Sequence, residues 1–66
     1  MNIQLNGAAR AIPQDTPLSR LLADEGLAER RVAVEVNGQI VPRGLHAAHL
    51  LQEGDTVEIV HALGGG

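Results

Sequence analysis

The sequence predicts an α+β domain in which one sheet is covered on one face by a single main helix. Three observations lead to this fold class. Two Asn-Gly pairs each separate runs of alternating apolar and polar residues, a leucine-rich segment between them has helix punctuation at both ends, and a last alternating run leads into three glycines. One helix packed on one sheet is the smallest two-layer arrangement that buries all of these apolar faces.

The first twelve residues, "MNIQLNGAARAI", predict a β-hairpin. Apolar residues occupy every second position up to Leu5, and Asn6-Gly7 follows. Asn-Gly favours the positive φ angles of a two-residue type I′ turn, whose twist matches that of the flanking strands. The second strand of the hairpin is expected to end at Ile12, because Pro13 cannot continue the strand pairing.

The segment "DTPLSRLLADEGL" predicts a helix of about ten residues. Thr16 is expected to be the N-cap and Pro17 the first helical residue, since a threonine side chain caps free N–H groups and proline lacks one. Gly26 is expected to end the helix in the left-handed conformation. Three leucines share one helical face and should cover the sheet, namely Leu18, Leu21 and Leu22.

The segment "RVAVEVNGQIV" predicts a second hairpin. Its first strand places three valines on one side and Ala33 and Glu35 on the other, as the twofold period of a strand requires. Asn37-Gly38 predicts another two-residue turn, followed by a short strand that Pro42 ends.

The remaining segments are expected to complete the core. In "GLHAAHLLQEGD" a turn or short helix should direct three leucines inward, namely Leu45, Leu50 and Leu51. The last run, "TVEIVHAL", should bury Val57 and Ile59 and direct Glu58 and Val60 to solvent. The complete order is hairpin, helix, hairpin, short helical turn and strand.

Charge and composition narrow the classes of function. The formal net charge is −3, the basic residues are dispersed, and no aromatic residue is present, so the sequence argues against nucleic-acid binding. A basic protein partner suits this charge better. The chain has no cysteine, which excludes a disulfide, a thiolate metal site and a cysteine nucleophile within it. Since no leader pattern and no run of about 18 apolar residues is present, the expected location is the cytoplasm.

Two strings in the sequence resemble a known family. "VAVEVNGQIVPR" and "GDTVEIVHALGGG" are similar to the sulfur-carrier proteins of thiamine biosynthesis (ThiS type), which have the ubiquitin-like β-grasp fold. The resemblance spans the whole chain and includes a glycine terminus that is reached with no residues to be removed. It implies a mixed sheet of about five strands with one main helix. Gln39 and Leu63 depart from the pattern of the family, at positions outside its chemistry.

The resemblance implies that the chain is a protein co-substrate and not an enzyme. In the family, an ATP-dependent enzyme related to the ubiquitin-activating enzymes adenylates the terminal carboxylate, here that of Gly66. Sulfur from a persulfide donor, such as a cysteine desulfurase, then displaces AMP and gives a thiocarboxylate, which thiazole synthase uses. No cofactor is expected on the chain itself, because ATP is consumed by the partner enzyme.

The tail and the strand before it supply the expected site residues. A β-grasp domain over residues 1–63 should precede a flexible glycine tail over residues 64–66. Gly64 and Gly65 have no Cβ and are narrow enough to thread a channel in the partner. The outward face next to the tail forms a small apolar spot rimmed by acids, which is expected to bind the partner, although a single exposed valine is also normal on a surface. The residues of this expected docking surface are Glu35, Glu58, Val60 and Leu63.

Other interpretations remain open. His46, His49 and His61 form only a weak metal signal, because the first two lie on one turn or short helix and His61 lies on a different element, and no metal is expected. The small sulfur-carrying subunit of molybdopterin synthase is the nearest alternative, and a ubiquitin-like modifier is another. The chain has no lysine, so polymers linked through its own side-chain amines are not possible. A further alternative is a protein-binding module whose glycines have no chemical role.

Overall fold

The computed structural model describes residues 1–61 and contains five strands, one α-helix and one 3₁₀ turn. The elements are β1 (Asn2–Leu5), β2 (Ala8–Ala11), α1 (Leu18–Asp24), β3 (Val32–Val36), β4 (Gln39–Ile40), the 3₁₀ turn (Arg43–Leu45) and β5 (Thr56–His61). The strand order in the sheet is β2-β1-β5-β3-β4. The β1·β5 pair is parallel and the other pairs are antiparallel, so the sheet is mixed. The predicted α+β domain with a mixed sheet is confirmed.

Both predicted hairpins are confirmed, with the Asn-Gly pairs at their turns. Asn6 and Gly7 have φ angles of 50° and 85°, and Asn37 and Gly38 have φ angles of 53° and 84°. Positive φ at both central residues is the mark of a type I′ turn. The local sequence therefore determines the register of both outer strand pairs, with Leu5 opposite Ala8 and Val36 opposite Gln39.

The start of α1 differs from the prediction. Thr16 is not the N-cap: its hydroxyl donates to the Pro13 carbonyl at 2.7 Å, and Pro17, with ψ 151°, is extended in an isolated bridge to Leu50. The helix begins at Leu18 and has 7 residues instead of about ten. Prediction failed here because a strand-like contact with a distant segment holds the residues before the helix in an extended conformation.

Carbonyl groups of the loop between the 3₁₀ turn and β5 replace the missing side-chain cap. The N–H of Leu18 donates to the His49 carbonyl at 2.8 Å, and that of Ser19 donates to the His46 carbonyl at 3.1 Å. Tertiary contacts thus satisfy the first two of the donors that a helix leaves free at its first turn, and the next two donate to the Pro17 carbonyl. Neither helix described over residues 1–61 has the length and apolar content needed to cross a membrane.

The predicted end of the helix is confirmed at Gly26, which has φ 75°. The N–H of Leu27 donates to the Leu22 carbonyl at 2.8 Å and the N–H of Gly26 donates to the Ala23 carbonyl at 3.0 Å. These two bonds define a Schellman motif, in which a left-handed glycine lets the chain satisfy the last helical carbonyls. Leu27 then packs against the core, as this motif usually requires.

The core lies between α1 and the inner face of the sheet. It contains the predicted helix leucines, inward residues of the strands and two residues from the connecting segments, namely Ile3, Leu5, Leu18, Leu21, Leu22, Val34, Val36, Val41, Leu51, Val57 and Ile59. All are aliphatic, so close packing of small branched side chains replaces the rings that a core usually contains.

Two of the three leucines expected to point inward from the loop before β5 are exposed. Leu45 is 55% exposed and Leu50 is 49% exposed, whereas Leu51 is buried as predicted. Leu50 pairs with Pro17 through its backbone, and the alternation of an extended chain then turns its side chain away from the core. His46 is buried in this loop, and its ring Nε2–H donates to the Val41 carbonyl at 2.9 Å.

Candidate docking site at the end of the central strand

The candidate site is built on β5, the central strand that leads toward the glycines. Strand β1 flanks β5 on one side and β3 flanks it on the other. The inner face of β5 is anchored by Val57, which is fully buried, and by Ile59. Glu58 and Val60 face solvent, so the orientation predicted for this strand is confirmed. A rigid, well-packed strand therefore carries the outward side chains and the chain segment that follows them.

Two hydrogen bonds from backbone N–H groups of β5 to asparagine side chains help to hold the strand in place. At its start, the Thr56 N–H donates to Asn37 Oδ1 at 3.0 Å. Further along, the Ile59 N–H donates to Asn6 Oδ1 at 2.8 Å. Each asparagine belongs to one of the two hairpin turns, so both turns contact the central strand from opposite sides. The dipeptide that forms each turn thus also positions the strand that carries the site.

The outward face of the sheet carries a row of three side chains from three strands. Ile40 of β4 lies opposite Glu35 of β3, and Glu35 lies opposite Glu58 of β5. Paired residues of neighbouring strands share one face of a sheet. Ile40 is 62% exposed, and Glu35 is half-buried between its two neighbours.

A second pair lies next to this row and nearer to the end of β5. Ala33 of β3 is opposite Val60 of β5, and Val60 is 60% exposed. Ile40 and Val60 therefore flank the two carboxylates on the same exposed face. We call the residues Ile40, Glu35, Glu58 and Val60 the outer-face patch.

The outer-face patch carries two like charges in direct opposition. Carboxylates opposite each other on neighbouring strands repel, which makes their pairing unfavourable. Within residues 1–61 the ion pairs are Arg10 with Glu25 and Arg20 with Asp24, and neither includes Glu35 or Glu58. A basic group placed between these two carboxylates would relieve the repulsion. The electrostatics of the patch thus favour a cationic partner surface.

Sequence reasoning identified three members of the patch and missed Ile40. The signal was present, because a two-residue turn at Asn37-Gly38 places Ile40 opposite Glu35 by counting outward from the turn. The other predicted site residues, Leu63 and Gly64–Gly66, lie outside the described residues, as does the predicted domain boundary after residue 63. The role of the patch in docking stays a prediction.

The histidines are dispersed over the described structure. The ring of His46 is buried and bonded to a backbone carbonyl, His49 is half-buried in the loop, and His61 is exposed at the end of β5. Within residues 1–61 no group of three potential metal-binding side chains comes together.

Two solved structures with this architecture come from Geobacter metallireducens. The crystal structure of its thiamine biosynthesis protein (ThiS) superimposes with a TM-score of 0.86 at 30% identity, covering 100% of both chains. The solution NMR structure of a thiamine biosynthesis protein from the same organism superimposes with a TM-score of 0.79, again at 30% identity, covering 100% of this chain and 88% of the other. The predicted β-grasp fold is confirmed by these superpositions.

Similar sequences among curated proteins are longer than this chain. A thiazole synthase of Magnetococcus marinus is 46% identical over 66 residues, which is 100% of this chain and 20% of that protein. A thiazole synthase of Paramagnetospirillum magneticum is 38% identical over the same span and with the same coverage. The chain thus spans about a fifth of the length of these relatives. The model of the ThiS family matches residues 3–66, and the chain therefore belongs to the ThiS family.

Proposed function

We propose that this protein is a sulfur carrier for the formation of the thiazole ring of thiamine. The observation that carries the proposal is the match to the ThiS family over residues 3–66. The superposition on a thiamine biosynthesis protein over the full length of both chains supports it.

The reactive group in this proposal is the carboxylate of Gly66. A carboxylate is a poor electrophile because its charge is delocalised over two oxygens. Its attack on the α-phosphate of ATP releases pyrophosphate and gives a mixed anhydride, in which AMP is a good leaving group. The terminal sulfur of a persulfide then attacks the Gly66 carbonyl carbon, and AMP departs. A thiol reductant cleaves the resulting acyl disulfide with two electrons, which leaves a thiocarboxylate on Gly66 and a disulfide on the donor side.

The chain supplies the carboxylate, and its partners supply the catalysis. Since the sequence contains no cysteine, carried sulfur would be bound to a main-chain carbonyl. Gly64 and Gly65 would give the adenylating enzyme a stem without side chains, which fits a narrow path to the nucleotide. In this role the chain is a co-substrate that binds no cofactor and acts in the cytoplasm, with a cysteine desulfurase or another persulfide donor as the source of sulfur.

The outer-face patch, together with Leu63, is the proposed docking surface for the adenylating enzyme. Exposed apolar side chains at Ile40 and Val60 flank two opposed carboxylates. Such a surface fits a partner that presents a small apolar area with a basic side chain, because the base offsets the repulsion between Glu35 and Glu58.

Thiazole synthase is the proposed acceptor of the sulfur. Two proteins of that name contain a stretch similar to this chain within a polypeptide about five times as long. Linking a carrier to the enzyme that it serves raises the local concentration of the carrier at that enzyme. This arrangement supports a direct encounter between the chain and thiazole synthase.

Intact-mass spectrometry of the protein purified from its own cells tests the proposal. We expect a species that is heavier than the unmodified chain by the difference between one sulfur and one oxygen atom. A variant with serine at positions 64–66 should lack this species and should fail to support thiazole formation. If the wild-type chain shows only the unmodified mass during active thiamine synthesis, or if the serine variant is fully functional, the chain is a binding module and not a carrier.

A further inference from the structure

The two sides of β5 are paired over different lengths. Strand β3 pairs with β5 from Val57 as far as His61, which lies opposite Val32. Strand β1 pairs with β5 only at Thr56 and Val57. Strand β1 ends at Leu5, and the chain turns away at Asn6-Gly7 while β5 continues. The last residues of β5 are therefore paired on one side only, within the part of the chain that the structure describes.

The hydrogen bonds show which backbone groups face the open side. The carbonyls of Asp55 and Val57 accept from β1 and its turn, and the Ile59 N–H donates to Asn6 Oδ1. Alternate residues of a strand direct their N–H and C=O groups to the same side. The Ile59 carbonyl and both backbone groups of His61 therefore face the β1 side. Among residues 1–61, no strand pairs with them there.

This open side differs from the two outer edges of the sheet. Strand β2 has 4 residues and is followed closely by Pro13, and β4 has 2 residues and is followed by Pro42. Short edge strands and prolines protect a sheet from pairing with other chains. The segment Ile59–His61 contains no proline, and it is fixed in extended conformation by β3. At the turn that follows β1, a Cβ placed on Gly7 would meet no atom within 4 Å, so the turn itself is not covered.

We propose that the adenylating enzyme adds an extended segment of its own chain to the open side of β5 at Ile59–His61. The inference rests on the function proposed above. The added segment would accept from the His61 N–H and donate to the carbonyls of Ile59 and His61, as in other cases of strand addition. Its outward side chains would lie beside Val60 and diagonal to Glu58, and the carboxylate of Glu58 favours a segment with a basic residue.

Strand addition would give the enzyme control over the direction of the tail. Pairing on both sides holds the end of β5 in an extended conformation, and the backbone enters the tail from that end. Asn6 marks the position at which the intramolecular partner stops and the added segment begins, since its side chain accepts from the Ile59 N–H, the first donor on this side that the β1 backbone does not reach. The enzyme would thus bind the backbone at the open side of β5 and the side chains of the outer-face patch.

N-methylation of single backbone amides in synthetic chains tests this proposal. A methyl group on the His61 nitrogen removes the donor and obstructs the open side. The matched control carries the methyl group on Ala9, whose N–H faces away from β1 at the outer edge of β2, because the bonded pairs of this hairpin alternate from Met1 and Ile12. Circular dichroism and melting temperature should match the unmodified chain for both.

The measurement is ATP–pyrophosphate exchange catalysed by the adenylating enzyme at varied carrier concentration. Losing a backbone hydrogen bond and the space for its partner should raise the KM for the His61-methylated chain about tenfold or more, while Ala9 methylation leaves it unchanged. In the complex, hydrogen exchange of the His61 amide should slow, and that of Ala9 should not.

The outcomes separate this inference from the proposed function. If the unmodified chain supports exchange and His61 methylation leaves its KM within about twofold, strand addition is overturned and the carrier function stands. If the unmodified chain supports no exchange at all, both fail. An equal rise in KM for the Ala9-methylated chain also overturns the proposal, because the effect is then not specific to the open side.

Discussion

The two ends of β5 are held in different ways. At the start of the strand, the side-chain amide of Asn37 accepts from the Thr56 N–H at 3.0 Å and donates to Asp55 Oδ1 at 2.9 Å. The backbone N–H of Asn37 also donates to the Thr56 carbonyl at 2.8 Å. At the end of the strand, the one side-chain contact of this kind in the described structure is the bond from Ile59 to Asn6. Beyond it, one side of the strand is open.

This difference predicts that the start of β5 contributes to the stability of the fold and that its end contributes to interactions with other proteins. The start is fixed by a network in which Asp55 also accepts from the Gln52 N–H at 2.8 Å, so the turn before β5 and the second hairpin hold each other. The end has exposed side chains, and its backbone groups on the β1 side are not paired with another strand of the described structure. Substitutions at the start should therefore change the free energy of unfolding, and substitutions at or beyond the end should change the interaction with partner enzymes.

The largest expected effect is at the far end, with Gly65→Val. A branched side chain in the stem should keep the Gly66 carboxylate from reaching the α-phosphate, and a misplacement of about 1 Å can cost roughly 10²-fold in rate. ATP–pyrophosphate exchange should fall by at least about that factor at unchanged circular dichroism. Gly44→Val is the control, because a Cβ at Gly44 meets no atom within 4 Å. Normal exchange with Gly65→Val would refute the steric role of the stem.

The next effect is at the start of the strand, with Asn37→Asp. The new carboxylate keeps the acceptor for the Thr56 N–H but faces Asp55 where the amide donated at 2.9 Å. The free energy of unfolding should fall by about 1 to 2 kcal/mol, measured by urea denaturation. The control is Asn6→Asp, which keeps the acceptor for Ile59 and should stay within about 0.5 kcal/mol of wild type. Equal losses in the two variants would show that the two turns are not held differently.

The smallest effect is on the outer-face patch, with Val60→Lys. An ammonium group at this exposed position should leave the melting temperature unchanged and weaken binding of the adenylating enzyme about tenfold, because it opposes a basic partner surface. Leu45→Lys is the control, since Leu45 is similarly exposed in the 3₁₀ turn. Isothermal titration calorimetry would decide, and equal affinities for wild type and Val60→Lys would remove the patch from the docking surface.

Features determined by a few neighbouring residues were predictable from the sequence. The two Asn-Gly turns and the left-handed Gly26 have that character, since each needs only a backbone conformation that its residues favour. The inward and outward sides of β5 followed from alternation alone. The position of Ile40 on the outward face could also have been predicted, because the register of a two-residue turn places it opposite Glu35.

Features that depend on distant contacts were missed. Thr16 has the side chain of an N-cap, yet its backbone carbonyl accepts from the Leu51 N–H at 2.9 Å, and this contact sets the start of α1. Leu45 and Leu50 were expected to be buried but are exposed, whereas His46 is buried and its ring is bonded to the Val41 carbonyl. The open side of β5 was not predictable, since it depends on which strands flank β5 and how far each extends. The chemistry of the glycines was predicted only through the family resemblance.

The parallel pairing of β1 with β5 has a consequence for folding. Asn6 and Ile59 contact each other across 53 residues of sequence, and the strand that fills the centre of the sheet is the last one described. Each hairpin can form early, but neither is stable as an isolated pair of strands. Joining the halves requires closure of a long loop, which is entropically costly and slow. Almost all of the described sequence must therefore be synthesised before the central strand can join the two hairpins into one sheet.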